Sequence, residues 1–445
     1  MTLATGMPAG APKEGFRLSM LIYDTRFRAI TIQVVVLIAF LLLVGWLVDN
    51  TIQNLAAKDK NIDFGFLWVR AGYDIEQQLI PYTNDSVHGR AVIIGLLNTL
   101  LVAFFGCIFA TIIGVLAGVL RLSKNWLVSG LMTIYVETFR NVPLLLWIIL
   151  VFVVTSETQP QPNAFKITQA MVDSYATEDT SDDIYPEASK MLFGTVALTN
   201  RGTYMAAPLL SRPLGGTEVA SIPANFSVLA TLAVIIGSVL TNRALLRRAR
   251  LVQEDTGLRP TTWWKSLLIL FAPVVLLLVA MGFHLEIPVF PSNEAGVSTG
   301  FNFQGGFLVQ HSFTALLIAL SLYTGAFIAE IVRAGILAIS HGQTEAAFAL
   351  GLRPGRTMNL IVLPQALRVI IPPLISQYLN LTKNTSLGIA VSYLDLRGTL
   401  GGITLNQTGR ELECMLLMML IYLAISLAIS TVMNMYNNSV QLKVR

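Results

Sequence analysis

Cysteine is nearly absent. Cys107 and Cys414 are the only two in 445 residues; they lie far apart inside apolar runs, so neither a disulfide framework nor a thiolate metal site is indicated, and both read as packing residues. Histidine is as scarce: His88, His284, His311 and His341 fall in loops or at the ends of apolar runs and read as interfacial polar groups. No H-E-x-x-H, no G-x-S-x-G and no metal-spaced Cys/His group occurs, which removes the usual signatures of metal-assisted and nucleophilic hydrolysis. The phosphate-cradling G-x-x-x-x-G-K-[ST] is missing too, so this chain has no means of hydrolysing ATP by itself. Charged residues make up only 13%. The net charge of +4 would suggest nucleic acid in a soluble domain, but no basic stripe with interleaved aromatics accompanies it, and no nucleic-acid partner is expected.

Apolar residues are abundant, at 54% of the chain with a mean hydropathy of +0.65, far above the soluble average. The composition is that of a polytopic membrane protein, all-α, because helices satisfy their own backbone in lipid. Runs near the roughly 20 residues needed to span the hydrocarbon core occur around 30–48, 91–119, 224–242, 266–283, 312–334, 370–390 and 412–434. An eighth, Val142 to Val154, is long enough only if its helix starts upstream near Ser129 and carries Glu137 and Arg140 into the interface. The first run follows Lys13, Arg17, Arg26 and Arg28 with no small-residue cleavage site after it, the pattern of an uncleaved anchor. With eight spans, the segments richest in Lys and Arg, namely the opening stretch, "RLSKN" at 121–125, "RALLRRARLVQ" at 243–253 and the closing "QLKVR", fall on one side. The positive-inside rule makes that side cytoplasmic, with both termini on it. The acidic "YATEDTSDDIYPEASK" at 175–190 reads as a solvated outer loop, with a docking role as the alternative.

Between two of the spans lies "EAAFALGLRPGRTMNLIVLP", residues 345–364. Ser340 and Gln343 have capping-box spacing and Thr344 is a competing N-cap, so a short helix should carry Glu345, Ala346, Ala347 and Leu350. Gly351 should stop it in the left-handed conformation, Pro354 should open a second helix through Met358 and Ile361, and Pro364 should kink or end that one. Local physics allows this elbow to be either an amphipathic hairpin lying on the membrane or a docking element.

The spacing Glu345-Ala346-Ala347, three residues, Gly351, nine residues, Ile361, one residue, Leu363-Pro364 resembles the "EAA" coupling loop of the permease subunits of bacterial ABC importers. "GLLNTLLVAFFGCIFATIIGVLAGVLRLS" (95–123), "YVETFRNVPLLL" (135–146), "YTGAFIAEIVRAGILAISHGQTEAA" (323–347) and "LPQALRVIIPPLISQYLNLTKNTSL" (363–387) are similar to the polar amino-acid subfamily. The likeness covers 91–155 and 312–435. Between them sits an insert, 156–311, with two further spans; that elongated form resembles one subunit of the general L-amino-acid permeases of Gram-negative bacteria, where two different permeases pair. The resemblance implies the ABC type I importer permease fold and a place in the bacterial inner membrane. It also implies a cytoplasmic ATP-binding subunit docked on Glu345, Ala346, Ala347, Gly351, Ile361, Leu363 and Pro364, a second permease subunit, a periplasmic amino-acid-binding protein, surrounding membrane lipid, and no cofactor.

Polar groups also interrupt the run 370–390. One lysine at the bilayer centre costs about 2.5–3.5 kcal/mol on insertion scales, so Gln377, Asn380, Thr382, Lys383, Asn384, Thr385 and Ser386 should face protein or water. Gln377, Asn380 and Asn384 are spaced to share a helix face, a strip able to hydrogen-bond a passing zwitterion. Lys383 either attracts a carboxylate there, pairs with a neighbouring span or reaches the outer interface. Glu330 with Arg333, and Glu137 with Arg140, each read as an interfacial ion pair, with a role in transmitting motion of the loop as the alternative. The expected function is that of a transmembrane half of an ATP-driven, binding-protein-dependent amino-acid importer. An ion-gradient-driven transporter using Lys383 and Glu330 is the rival, and a scaffold without flux a third reading.

Overall fold

The computed structural model describes residues 25–57, 62–175, 188–219, 222–258, 260–294 and 297–440; most of the acidic stretch at 175–190 lies outside them. The chain divides into two units, one ending at Phe64 and one from Gly65 onward. The first holds α1 (Thr25–Ala57), apolar on every side and without a buried residue along its most apolar stretch. Such a helix is stable where lipid solvates its side chains.

The second unit is built on α2 (His88–Leu120), α3 (Trp126–Asn141), α4 (Leu144–Glu157), α5 (Phe226–Thr256), α6 (Trp263–Ala280), α7 (His311–Leu337), α8 (His341–Ala349), α9 (Leu363–Asn384) and α10 (Glu411–Val440). Among the described residues seven helices are long and apolar enough to cross a membrane. Where the eighth span was expected there are instead two helices, α3 and α4, that meet at 108°. Pro143 supplies the cause. It disfavours helical backbone at Val142, which takes ψ 134°, so the helix stops there and a new one begins.

α7 is the centre of the unit, with 61% of its most apolar stretch buried, against 0–33% for the other spans. It packs on α2, α3, α4 and α9. Close approach to α2 depends on Gly114 and Gly118 in "GVLAG": a Cβ on Gly114 would lie 2.5 Å from Ile328 Cβ, and one on Gly118 2.6 Å from the Ala329 carbonyl oxygen. Small residues four apart let helices approach within a medium that provides little hydrophobic drive. Gly118→Leu should therefore separate α2 from α7 and cost about 1–3 kcal/mol from overpacking, read as a lowered unfolding temperature in detergent. An unchanged temperature would mean the two helices do not meet there.

The insert is less purely helical than its composition suggests. Its spans α5 and α6 pack on each other. The segments flanking them form short antiparallel ladders: β1 (Val196–Thr199) with β2 (Gly202–Met205), β2 with β7 (Phe307–Val309), β3 (Ala207–Leu210) with β6 (Phe283–Glu286), and β4 (Gly216–Val219) with β5 (Ile222–Asn225). Register places Thr203 opposite Val309 and Tyr204 opposite Leu308, so the sheet is stitched to the strand that leads into α7.

Candidate functional site

The elbow follows directly from α7. Ala338 caps that helix and Ser340 is the N-cap of α8. The position matches the capping-box expectation but its side-chain bond does not form; Gln343 N–H donates to the Ser340 carbonyl instead (3.1 Å). Thr344 lies within α8, so it is not the cap. Glu345 Oε1 is 2.9 Å from His341 Nδ1, both side chains solvent-facing. Ala347 is buried and Ala346 exposed.

α8 closes as a Schellman turn. Gly351 has φ +74°; its N–H donates to Phe348 O (2.9 Å), and Leu352 N–H reaches back to Ala347 O (3.1 Å). Those two bonds satisfy carbonyls the helix end would otherwise orphan. At the turn Leu350 stands 81% exposed, with Phe348 before it and Leu360 after it also open. Ile361 is half-buried, Leu363 exposed and Pro364 half-buried.

Of the kink or stop expected at Pro364, the stop does not occur: the helix continues past it after a change of register. Pro354 opens a short turn, a π-turn spans Met358–Val362, and α9 starts at Leu363. The change of register puts Pro364 in the first turn of α9, where no N–H is needed and its fixed φ is already helical.

Just above the elbow, α2, α3 and α7 are joined by charge. Arg333 embraces Glu330 through two contacts (Nη2–Oε1 2.6 Å, Nε–Oε2 3.2 Å), as the spacing predicts. The second expected pair is not formed. Glu137 binds Arg121 (3.1 Å), and Arg140 turns to Glu330 (4.0 Å) with its guanidinium 5.4 Å from the Phe327 ring centre. Arg121, the residue that ends α2, also contacts Glu330 with its other Nη and is only 11% exposed. Sequence reasoning missed Arg121 as the hub because its partners lie far along the chain.

Further along α7 a cavity of ≈ 210 Å³ lies between Tyr323, Thr324 and Phe327 of α7 and Gln377, Asn380, Lys383 and Asn384 of α9. The amide strip predicted on one face is thus gathered with Lys383, and the aromatic and hydroxyl wall from α7 is the part not anticipated. Among the described residues no carboxylate lies within 4.0 Å of Lys383. Thr385 and Ser386 turn away: their hydroxyls donate to the carbonyls of Thr382 (2.9 Å) and Lys383 (2.8 Å). Thr382 does the same to Tyr378 (2.8 Å). The cleft therefore offers amide donors and acceptors, one hydroxyl pair, two ring faces and one ammonium, which suits a small zwitterion or anion.

Residues 110–445 match the family model described as binding-protein-dependent transport system inner membrane component. The chain is similar to the glutamate/glutamine/aspartate/asparagine transport system permease protein BztB of Rhodobacter capsulatus, 63% identical over 98% of each chain. It is also similar to the general L-amino acid transport system permease protein AapQ of Rhizobium johnstonii, 39% identical over 95% of this chain and 94% of that one. Against the glutamate/aspartate import permease protein GltK of Escherichia coli, identity is 33% over 40% of this chain and 76% of the other. The chain belongs to the binding-protein-dependent transport system inner membrane components, the permease subunits of ABC importers.

Proposed function

We propose that this chain is one transmembrane half of an ATP-driven importer of L-amino acids, paired with a second, different permease subunit in a bacterial inner membrane with both termini cytoplasmic. One observation carries the reading: α7 lines the polar cleft with Tyr323, Thr324 and Phe327 and, two linker residues past its cap, becomes the elbow. Cargo contact and force input thus share one buried helix. The elbow, with Glu345, Ala346, Ala347, Gly351, Ile361, Leu363 and Pro364, docks on a separate ATP-binding subunit; its exposed Leu350 and Phe348 are the apolar surface such a partner would cover. Closure of two ATPase subunits would rock the elbows and with them α7, switching access to the cleft. An extracytoplasmic binding protein delivers the amino acid, and the printed cargoes of BztB and AapQ support that class.

The ion-gradient rival would need a carboxyl free to exchange its charge. Glu330 is committed to three guanidiniums, a structural tie rather than a carrier site.

Uptake of L-glutamate into proteoliposomes holding both permeases and the ATPase should require ATP and the binding protein together. Uptake driven by a proton or sodium gradient without ATP would overturn the reading. Lys383→Gln should raise the half-saturating load or lower uptake on the order of 10-fold or more, since a charge-assisted hydrogen bond is worth about 1.5–3 kcal/mol, while ATPase docking persists. Full uptake by that variant would remove Lys383 from the path.

A further inference from the structure

Another cleft lies in the insert, at the end of α7 opposite the elbow. It measures ≈ 220 Å³ and is lined by Gln161, Pro162, Asn163, Asn200, Arg201 and Phe301. Three features set it apart from a solvated loop. Asn200 Oδ1 is shielded from solvent and accepts no hydrogen bond, which is costly unless a donor is brought to it. Arg201 is exposed, with no carboxylate within 4.0 Å among the described residues. Phe301 projects with 91% of its surface open and Lys166 Nζ 5.3 Å from its ring centre, an aromatic and a second cation beside the first. Among the described residues no acidic side chain lines the cleft.

The floor of this cleft is anchored to two core helices. Asn200 N–H donates to the carbonyl of Pro160, just past α4 (2.9 Å). Buried His311, the first residue of α7, donates through Nε2 to the carbonyl of Thr199 (2.7 Å). The Thr199 hydroxyl in turn holds the turn closed on Gly202 O (2.7 Å). A push on Asn200 or Arg201 is therefore felt at the ends of α4 and α7 without an intervening flexible link.

We infer that this cleft is the docking point on the insert for the extracytoplasmic binding protein, taking a carboxylate-bearing side chain on Arg201 beside a donor to Asn200, and that His311 relays docking to α7. The inference rests on the reading of the chain as a binding-protein-dependent permease. The occupant follows from charge complementarity: two cations, with no carboxylate beside Arg201 among the described residues, and an open ring face call for an acidic, partly apolar protein surface. A free solute would leave Phe301 uncovered. Arg201 is the binding contact, whereas His311 is a positioning residue that never touches the partner.

The test uses the complete permease and ATPase complex in proteoliposomes, titrated with its binding protein loaded with L-glutamate, reading ATPase rate. Arg201→Glu should raise the half-saturating binding-protein concentration at least 10-fold and leave the saturated rate near wild type; Asn200→Ala should raise it about threefold. His311→Leu should do the reverse, lowering the saturated rate with half-saturation unchanged, and His311→Gln, which keeps a donor, should recover most of it. Co-purification of the ATPase subunit checks that each variant is assembled. If Arg201→Glu and Asn200→Ala both keep the wild-type half-saturation, this inference falls alone. If the wild-type complex ignores the binding protein, the functional reading falls and this one with it. Binding of L-glutamate alone to the wild type but not to Arg201→Glu would make the cleft a solute site and overturn the docking role.

Discussion

Gly351→Val should uncouple the subunit from its energy source while leaving the spans folded. The glycine sits at φ +74° with open space where a side chain would go, so the penalty is conformational rather than steric crowding by neighbours. A left-handed L-residue costs about 1–2 kcal/mol, and a β-branched one is a true outlier there. Escaping that conformation breaks the bonds to Phe348 O and Ala347 O and re-aims Leu352 and everything beyond it. Since about 1.4 kcal/mol is a factor of 10, retention of the ATPase subunit and binding-protein-stimulated ATPase should both fall by on the order of 10-fold or more. Gly351→Asn separates conformation from side-chain presence, because asparagine tolerates this backbone; it should keep most of the activity. Thermal unfolding of the spans should move little in either, since the turn is exposed. Gly351→Val retaining its ATPase and transporting normally would remove the elbow from the coupling interface.

The spans were legible because lipid imposes one rule everywhere: a helix of sufficient length whose backbone bonds are internal. The seven apolar runs lie in seven long helices. The elbow was legible for a different reason, since Ser340, Gly351 and Pro354 act through their own backbone preferences and need no tertiary partner. Where the outcome depended on partners, sequence said less. The span expected from near Ser129 to Val154 runs across Pro143, and no local signal gives the 108° between α3 and α4, which each pack on α7. Pro364 looked like a stop and is absorbed by a π-turn, a register change that no short window displays. Glu137 and Arg140 had the spacing of a pair, and each faces a partner on another helix instead. The strands of the insert are three or four residues long and include Pro208 and Pro223, so alternation had no length over which to appear. In the cleft, Gln377, Asn380 and Asn384 were legible from period alone, whereas Thr385 and Ser386 share their polarity yet satisfy it on the preceding turn. Hydroxyls can do that and long amides facing a cavity cannot.

Glu330→Gln should have the second large effect, by turning a three-helix tie into a cluster of like charges. The amide keeps the shape and one acceptor, but the guanidiniums of Arg121, Arg140 and Arg333 are left around it without a counter-charge, except for Glu137 on Arg121. Breaking a fully buried pair costs about 3–5 kcal/mol; here the partners are 11–33% exposed, and solvent screening brings the expected loss to about 1–3 kcal/mol. Arg140→Gln, whose contact is 4.0 Å, should cost much less. In a double-mutant cycle, Arg121→Gln with Glu330→Gln should show a coupling of about 1 kcal/mol or more, as residues in one ion-pair network are not additive. Position gives the tie its functional weight. Glu330 lies on α7 between the cleft residue Phe327 and the elbow that starts after Ala338, so loosening it lets the elbow move without carrying the cleft. The expected signature is therefore ATP turnover that survives while amino-acid uptake per ATP drops. If uptake and turnover fell in proportion, or if Arg140→Gln matched Glu330→Gln, the network would be a static brace and the force would have to reach the cleft through α9 instead.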